Sequence, residues 1–328
     1  MGYKTIDELM CHLNENNIKI TESQKSQLMN TGYYHGYKGY RFFNTSNRGI
    51  PFSTYEEVYA TIKYDSQLKA LFYEKIMYIE TAVKCISLEC ILEENKSENI
   101  QDMYNNLVCG YHSFPQNIDL KIRKDAQERK LKLEGIIHGY LSKAYKDGNP
   151  KITHYYNNMS YNGVPLWALF EIITLGDFGY LLSCLNISTR DAITTKLGMN
   201  VAAIDTDRAL IYKYIYTLKD LRNSIAHNAV VFDTRFRKMD PSKSMKICLQ
   251  QEFSLPYVNF KTIGDYLFLV CYYLKLLNTS NEEIKDFINN FETITQEYKN
   301  AVLPAVSAVV IHPDTISRVS WVKSQFIN

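Results

Sequence analysis

The run Leu221 to Asn228, LRNSIAHN, combines a permanent cation with a side chain that exchanges protons near neutral pH. Arg222 carries a planar guanidinium suited to phosphate, and His227, five positions later, carries an imidazole. RNA supplies its own nucleophile, the 2′-hydroxyl, so these two residue types can cleave RNA without a metal ion. The run therefore predicts phosphate chemistry.

The geometry of a helix restricts how this pair can act. Five positions turn an α-helix through about 500°, so Arg222 and His227 lie roughly 140° apart on an ideal helix. They meet at one phosphate only where the helix ends or bends near His227, or where a second copy of the run completes the site. Asn223 shares a face with His227, and Asn228 tolerates the left-handed conformation that ends a helix. In the alternative interpretation, Arg222 pairs with a core-facing acid and His227 is a structural cation at a helix C-terminus.

Composition places few other constraints on the function. The chain has 328 residues, a formal charge of +2 and 46% hydrophobic residues, which indicates a globular protein of one elaborated domain or two small ones. Seven scattered cysteines, an odd number without a CxxC pair, favour a reducing cytosol over disulfides or a zinc site. The start lacks a secretory signal and no apolar stretch is long enough to cross a bilayer. We expect a cytoplasmic protein without membrane contact, metal or cofactor.

Apolar residues at helical spacing predict an all-α fold. Capping boxes are predicted at Thr5–Glu8, Thr21–Gln24 and Thr54–Glu57. Long helices are predicted over residues 66–94, 118–145, 164–185, 204–227, 260–277 and 281–298. The Gly- and Tyr-rich segment 31–51 predicts a loop or a short extended segment, and only 40–43 and 230–232 carry a strand-like pattern.

Four separated blocks carry a resemblance to a known family. They are GYYHGYKGYRFF (32–43), YEEVYATIKYDSQLKALFYEKIMYIETAVK (55–84), PLWALFEIITLGDFGYLLSCL (165–185) and LKDLRNSIAHNAVVFD (218–233). The second places an "iE-x3-R" pattern on Glu80 and Lys84, and the third matches "PlW-x3-E-x3-G" at Pro165, Trp167, Glu171 and Gly176 with relaxed spacing. The fourth matches "L-x2-lRN-x2-aH" at Leu218, Leu221, Arg222, Asn223, Ala226 and His227. In this order the blocks resemble the Abi family of abortive-infection proteins, around the AbiD and AbiF types, within the HEPN superfamily.

The resemblance implies an HEPN-like helical bundle that acts as a metal-independent endoribonuclease toxin of phage defence, commonly as a homodimer and restrained by a small non-coding RNA. It makes Arg222 and His227 the catalytic pair, with Asn223 in support. The expected organisation is an N-terminal helical, Tyr-rich extension (1–50), an HEPN-like core (51–238) and a C-terminal helical extension (239–328). Two residues depart from the family pattern. Lys84 replaces an arginine, and Asn228, which cannot titrate, stands where a second histidine is frequent.

Basic and aromatic side chains outside the motif are candidates for RNA contact. Arg41 with the tyrosines of this segment could combine phosphate neutralisation with base stacking, while the alternative is a loop packed over the bundle. These tyrosines are Tyr33, Tyr34, Tyr37 and Tyr40. Downstream of the motif, Arg235, Arg237 and Lys238 would extend a basic patch, or form a solvated loop.

Other polar residues have structural interpretations. Glu80 or Glu171 could orient His227 or neutralise Arg222, but a structural ion pair is an equal alternative. Asp205 and Asp207 fit a helix cap and first turn better than a metal site. The remaining histidines are isolated in sequence and are interpreted as structural or solvent-facing: His12, His35, His112, His138, His154 and His312.

Two further functions compete with the ribonuclease. A non-catalytic HEPN-type module could bind a structured RNA, and the departure at Asn228 leaves room for it. A partner of a nucleotidyltransferase would need that activity in another chain, because this sequence lacks the GS-x5-D-x-D pattern.

Overall fold

The computed structural model describes residues 4–43, 48–161, 163–199 and 203–326. Over these residues it contains fifteen α-helices and one two-stranded hairpin, which confirms the all-α prediction. The helices are α1 (Ile6–Glu15), α2 (Lys25–Thr31), α3 (Tyr55–Asn95), α4 (Ile100–Asn106), α5 (Leu120–Lys146), α6 (Pro150–Asn157), α7 (Leu166–Ile172), α8 (Leu175–Cys184), α9 (Ile187–Lys196), α10 (Leu210–Ala226), α11 (Lys243–Glu252), α12 (Ile263–Leu276), α13 (Asn281–Ala301), α14 (Pro304–Val310) and α15 (Pro313–Ser324). Among the described helices, none is long and apolar enough to cross a membrane.

The predicted capping boxes begin two of these helices. At α1 the backbone N–H of Glu8 donates to Thr5 Oγ1, and Glu8 Oε2 accepts from the backbone N–H of Thr5 at 2.6 Å. At α3 the N–H of Thr54 donates to Glu57 Oε2 at 3.2 Å, and the N–H of Glu57 donates back to Thr54 Oγ1 at 3.3 Å. The long helix expected over 66–94 therefore starts eleven residues earlier, at Tyr55, directly after this cap.

The single helix expected over 164–185 is wrong, because the chain forms α7 and α8 with a break between them. Ile173 is extended, and the Thr174 side chain accepts from the backbone N–H of Asp177 as the cap of α8. The carbonyl of Ile173, which a continuous helix would use internally, accepts from Lys84 Nζ at 2.9 Å. A local cap and a lysine thus interrupt an apolar pattern that continues through the break.

The Gly- and Tyr-rich segment is more helical than predicted. A π-helical turn covers Gly32–Lys38, where a loop was expected, and the chain enters it through Gly32 at φ +72°, a conformation that favours glycine. The extended part is confirmed at β1 (Phe42–Phe43), which pairs antiparallel with β2 (Arg48–Gly49). The strand-like pattern at 230–232 forms no strand.

Helix α10 starts later than predicted, at Leu210 rather than residue 204. The buried Asp205 carboxylate accepts from the backbone N–H groups of Ala209 and Leu210 at 2.9 and 3.1 Å, which confirms that this acid caps the helix. Its end agrees with the prediction, because α10 stops at Ala226 and Asn228 adopts φ +52°.

The chain divides into two compact units. The first comprises Met1–Ile76, Asp220–Pro241 and Leu249–Asn328, and the second comprises Met77–Lys219 and Ser242–Cys248. In the first unit the residues of α12 from Ile263 to Leu274 are all buried, which makes it a core helix packed by α13 and α15. In the second unit α5 packs on α6, α7 and α8. The domain boundaries expected near residues 50 and 238 stay a prediction.

Candidate functional site

The R-N-x-x-x-H run lies at the C-terminal end of α10. The backbone N–H of His227 donates to the carbonyl of Asn223 at 2.9 Å, so it closes the last turn of the helix. Asn228 then turns the chain away in the left-handed conformation. The helix therefore ends next to His227, which meets the condition under which Arg222 and His227 can approach one phosphate. The side chain of His227 is exposed.

Arg222 and Asn223 are half-buried on this last part of α10. Arg222 Nη1 donates to Asn223 Oδ1 at 3.2 Å, so the amide helps to orient the guanidinium. Neither Arg222 nor His227 is fully enclosed by the protein. The structure thus leaves His227 exposed and Arg222 partly exposed.

A buried carboxylate holds the chain that follows the site. Asp65 on α3 has no exposed surface, and its Oδ1 accepts from the backbone N–H groups of Val231 and Phe232 at 2.8 and 2.9 Å. Its Oδ2 accepts from Lys69 Nζ at 2.8 Å and from the hydroxyl of Tyr40 at 2.7 Å. Burial, reinforced by the nearby Asp65 carboxylate, raises the pKa of Tyr40 well above its usual range. Asp65 therefore ties three separate segments together.

Asn228 links this buried group to a histidine that the sequence interpretation set aside. Lys69 Nζ donates to Asn228 Oδ1 at 2.8 Å, and Asn228 Nδ2 lies 3.1 Å from His35 Nε2. His35 belongs to the π-helical turn and is exposed. The sequence interpretation missed His35, Asp65 and Lys69, because each is remote in sequence from the motif.

The aromatic residues proposed for RNA stacking are mostly part of the protein interior. Tyr37 is 4% and Tyr40 2% exposed, and the Tyr40 ring stacks on Phe232 with centroids 6.1 Å apart. Arg41 is exposed, with its guanidinium 5.0 Å from the Phe42 ring centroid. Tyr34, by contrast, is 70% exposed. In the Gly- and Tyr-rich segment 31–51, here called the tyrosine segment, Arg41 and Tyr34 are therefore exposed to solvent, while Tyr37 and Tyr40 anchor the segment in the interior.

The basic residues downstream of the motif also divide by environment. Arg235 binds the buried Asp233 through Nε and donates from Nη1 to the carbonyl of Gly39 at 2.7 Å, which fastens the tyrosine segment. Arg237 Nη1 donates to the carbonyl of Asn259 and pairs with Asp240, both at 3.1 Å. Lys238 is exposed. Arg235 and Arg237 therefore have structural contacts, and Lys238 is an exposed cation.

The two glutamates of the resemblance blocks form ion pairs. Glu80 is buried and pairs with Lys84 at 3.0 Å, which confirms the structural interpretation of this acid. Glu171 pairs with Lys151 at 2.8 Å with both side chains about half exposed. Lys84, in place of the family arginine, still reaches both Glu80 and the Ile173 carbonyl.

Comparison with known proteins identifies the family. A model of Abi-like proteins matches residues 26–233, which is more than half of the chain and includes all four resemblance blocks. No curated protein and no solved structure matches the chain. The chain therefore belongs to the Abi-like protein family, a membership that suggests a part in abortive infection, the defence of bacteria against phage.

Proposed function

We propose that this protein is a metal-independent endoribonuclease of the HEPN type that acts as a toxin in abortive infection. The observation that carries the proposal is the end of α10 at Ala226. It leaves His227 exposed and Arg222 half-buried at the C-terminal end of one helix. Complete burial of both groups would exclude contact with RNA, and neither residue is completely buried.

The two side chains have distinct roles in the proposed reaction. The 2′-hydroxyl of RNA attacks the neighbouring phosphorus, and the 5′-oxygen leaves. Arg222 stabilises the charge that develops on the non-bridging oxygens, as a planar cation with paired donors does. His227 transfers a proton to or from the reacting oxygens. The products are a 2′,3′-cyclic phosphate and a 5′-hydroxyl end.

Exposed groups of the tyrosine segment give the RNA a path to this site. Lys38 Nζ lies 4.9 Å from the centroid of the exposed Tyr34 ring, and Arg41 is exposed three residues later. A base can stack on Tyr34 while these cations neutralise phosphates. The family resemblance adds two partners to the proposal, a second copy of this chain and a small non-coding RNA that restrains the toxin.

The test is RNA cleavage by purified protein in the presence of EDTA. Wild-type protein should cut RNA and leave cyclic phosphate ends, and His227→Ala should lower the rate by roughly 10²–10⁴-fold. Arg222→Lys keeps the charge but loses the paired donors, so its rate should also fall. His112→Ala, which removes an exposed imidazole from the Tyr111–Ser113 turn, is the matched control and should cleave normally.

Two outcomes would contradict the proposal. Equal cleavage by wild type and His227→Ala would assign the activity to another site or a contaminant. RNA binding without cleavage by either protein would favour the non-catalytic module. Growth arrest by wild type but not by Arg222→Ala, at equal protein levels, would support the toxin role.

A further inference from the structure

An imidazole from the N-terminal part of the chain lies beside the end of α10. His35 Nε2 is 3.1 Å from the side-chain nitrogen of Asn228, the residue next to His227. The two histidines are 192 positions apart in the sequence, so no local pattern connects them. Position 228 holds an asparagine where a second histidine is frequent in the family. His35, from another segment of the chain, lies next to this asparagine.

The hydrogen bonds of Asn228 determine which nitrogen of His35 carries the proton. Lys69 Nζ can only donate, so the Asn228 atom 2.8 Å away is the amide oxygen, and the amide nitrogen faces His35. An amide nitrogen also only donates. His35 Nε2 therefore accepts this bond and bears no proton.

The turn that carries His35 is anchored on both sides. Tyr33 and Tyr37 are buried, and Thr31 Oγ1 at the end of α2 lies 2.7 Å from the hydroxyl of Tyr55. His35 itself is exposed between these anchors. Its imidazole is thus held in place while it remains open to a ligand, which is the arrangement a proton-transfer group requires.

We propose that His35 is a second catalytic residue of the ribonuclease site and acts as its general base. This inference rests on the proposed function. The RNA 2′-hydroxyl takes the place of the Asn228 amide at His35 Nε2 and gives its proton to that nitrogen. The 2′-oxygen then forms a bond to phosphorus as the bond from phosphorus to the 5′-oxygen breaks.

His227 completes the proton balance as the general acid. It lies past the C-terminal end of α10, where the helix dipole attracts a cation, and it gives a proton to the departing 5′-oxygen. After one turnover His35 has gained a proton and His227 has lost one, and exchange with water restores both. Both imidazoles belong to the same chain, so the departure at Asn228 does not leave the site with a single histidine.

The experiment uses two short RNA substrates that differ at the cleaved bond. One has the normal 5′-oxygen, and the other has sulfur in its place, which leaves without needing a proton. The variants are His35→Gln, which keeps a side-chain acceptor for Asn228, His35→Ala, which removes it, and His227→Ala. His112→Gln is the control, and thermal unfolding checks that each variant is folded.

With a general base at position 35, His35→Gln should lower the single-turnover rate by roughly 10²–10⁴-fold on both substrates. The defect of His227→Ala should largely disappear on the sulfur substrate, since that substrate needs no general acid. These two results together would support the assignment.

Other results would overturn it. If His35→Gln cleaves like wild type while His35→Ala does not, His35 only positions Asn228. If sulfur restores His35→Gln, the base is elsewhere. If both His35 variants cleave RNA as fast as the wild-type protein, the inference fails while the proposed function stands. If wild type cleaves neither substrate, both fail.

Discussion

The ammonium of Lys69 on α3 lies 2.8 Å from the side-chain oxygen of Asn228, the residue directly after His227. The same ammonium pairs with the buried Asp65 carboxylate at 2.8 Å, one helical turn earlier. Asn228 also has a left-handed backbone, so its position depends both on its own conformation and on this ion pair. The surroundings of His227 are therefore fixed from α3, 159 residues upstream of Asn228.

Asp65→Asn should destabilise the protein by about 3–5 kcal/mol, because it removes one partner of a buried ion pair and leaves Lys69 without its counter-charge. The free energy of unfolding in urea at neutral pH measures this loss. Glu171→Gln breaks the exposed pair with Lys151 and should cost less than about 1 kcal/mol. A loss as small for Asp65→Asn as for the control would contradict the role assigned to Asp65.

Tyr64→Phe should make stability less sensitive to alkaline pH. Burial raises the pKa of Tyr64 from its ordinary value of 10.0 to about 12. The unfolded chain loses this proton above pH 10 while the folded protein retains it, so stability falls as pH rises between these values. The slope for one group is at most about 1.4 kcal/mol per pH unit.

Urea unfolding of wild type and Tyr64→Phe at a series of pH values above 9 checks this expectation. The difference in free energy between the two proteins should change with pH only in the alkaline range. Exposed Tyr34→Phe serves as the control. Parallel curves for wild type and Tyr64→Phe would show that the Tyr64 phenol does not couple to folding.

Thr174→Ala should lower the free energy of unfolding by about 1 kcal/mol, since it removes the N-cap of α8. The threonine hydroxyl accepts from the Asp177 backbone at 3.3 Å and from the Tyr140 hydroxyl at 3.0 Å. Thr174→Ser keeps the hydroxyl and should be close to wild type in thermal denaturation. Equal losses for alanine and serine would mean that the methyl group, rather than the cap, stabilises this position.

Arg41→Ala and Lys238→Ala should each weaken RNA binding and reduce the dependence of log affinity on log salt by about 0.7, the value for one phosphate contact on a single strand. Binding is measured on a single-stranded RNA in a His227→Ala background, across a salt series. Arg235→Ala differs from these two variants in that it should lower the melting temperature of the protein, because Arg235 donates hydrogen bonds to Asp233 and to the Gly39 carbonyl. An unchanged salt slope in both exposed-residue variants would exclude them from the RNA path.

Much of the helical architecture follows from local sequence signals. Apolar spacing and the capping boxes at Thr5 and Thr54 predict α1 and α3, and Asp205 predicts the region where α10 begins. The break at Ile173 was missed because the apolar pattern runs through it, although Thr174 with Asp177 three residues later is itself a cap signature. The spacing of apolar residues indicates which face of a helix is buried, but it does not indicate where a capping residue ends one helix and begins the next.

The site is less predictable than the fold. The motif residues Arg222, Asn223 and His227 are recognisable in the sequence, as is the helix end at Asn228. His35 and Lys69 meet Asn228 only through tertiary contacts, so nothing within a short window could associate them. Tyr40 was expected to stack on RNA, but its hydroxyl has a buried acceptor in Asp65, 25 residues away, which draws the ring into the interior.

The two bonds from Asp65 to the backbone of Val231 and Phe232 close loops of 166 and 167 residues. Closing loops of that length has a large entropic cost, so these bonds form only when the rest of the first unit supports them. During synthesis on the ribosome the chain emerges from its N-terminus, and Asp65 has no partner at these positions until residue 232 has left the exit tunnel. The bonds that hold the backbone after His227 are therefore absent from every nascent chain shorter than this, and the geometry of this segment is completed late in synthesis.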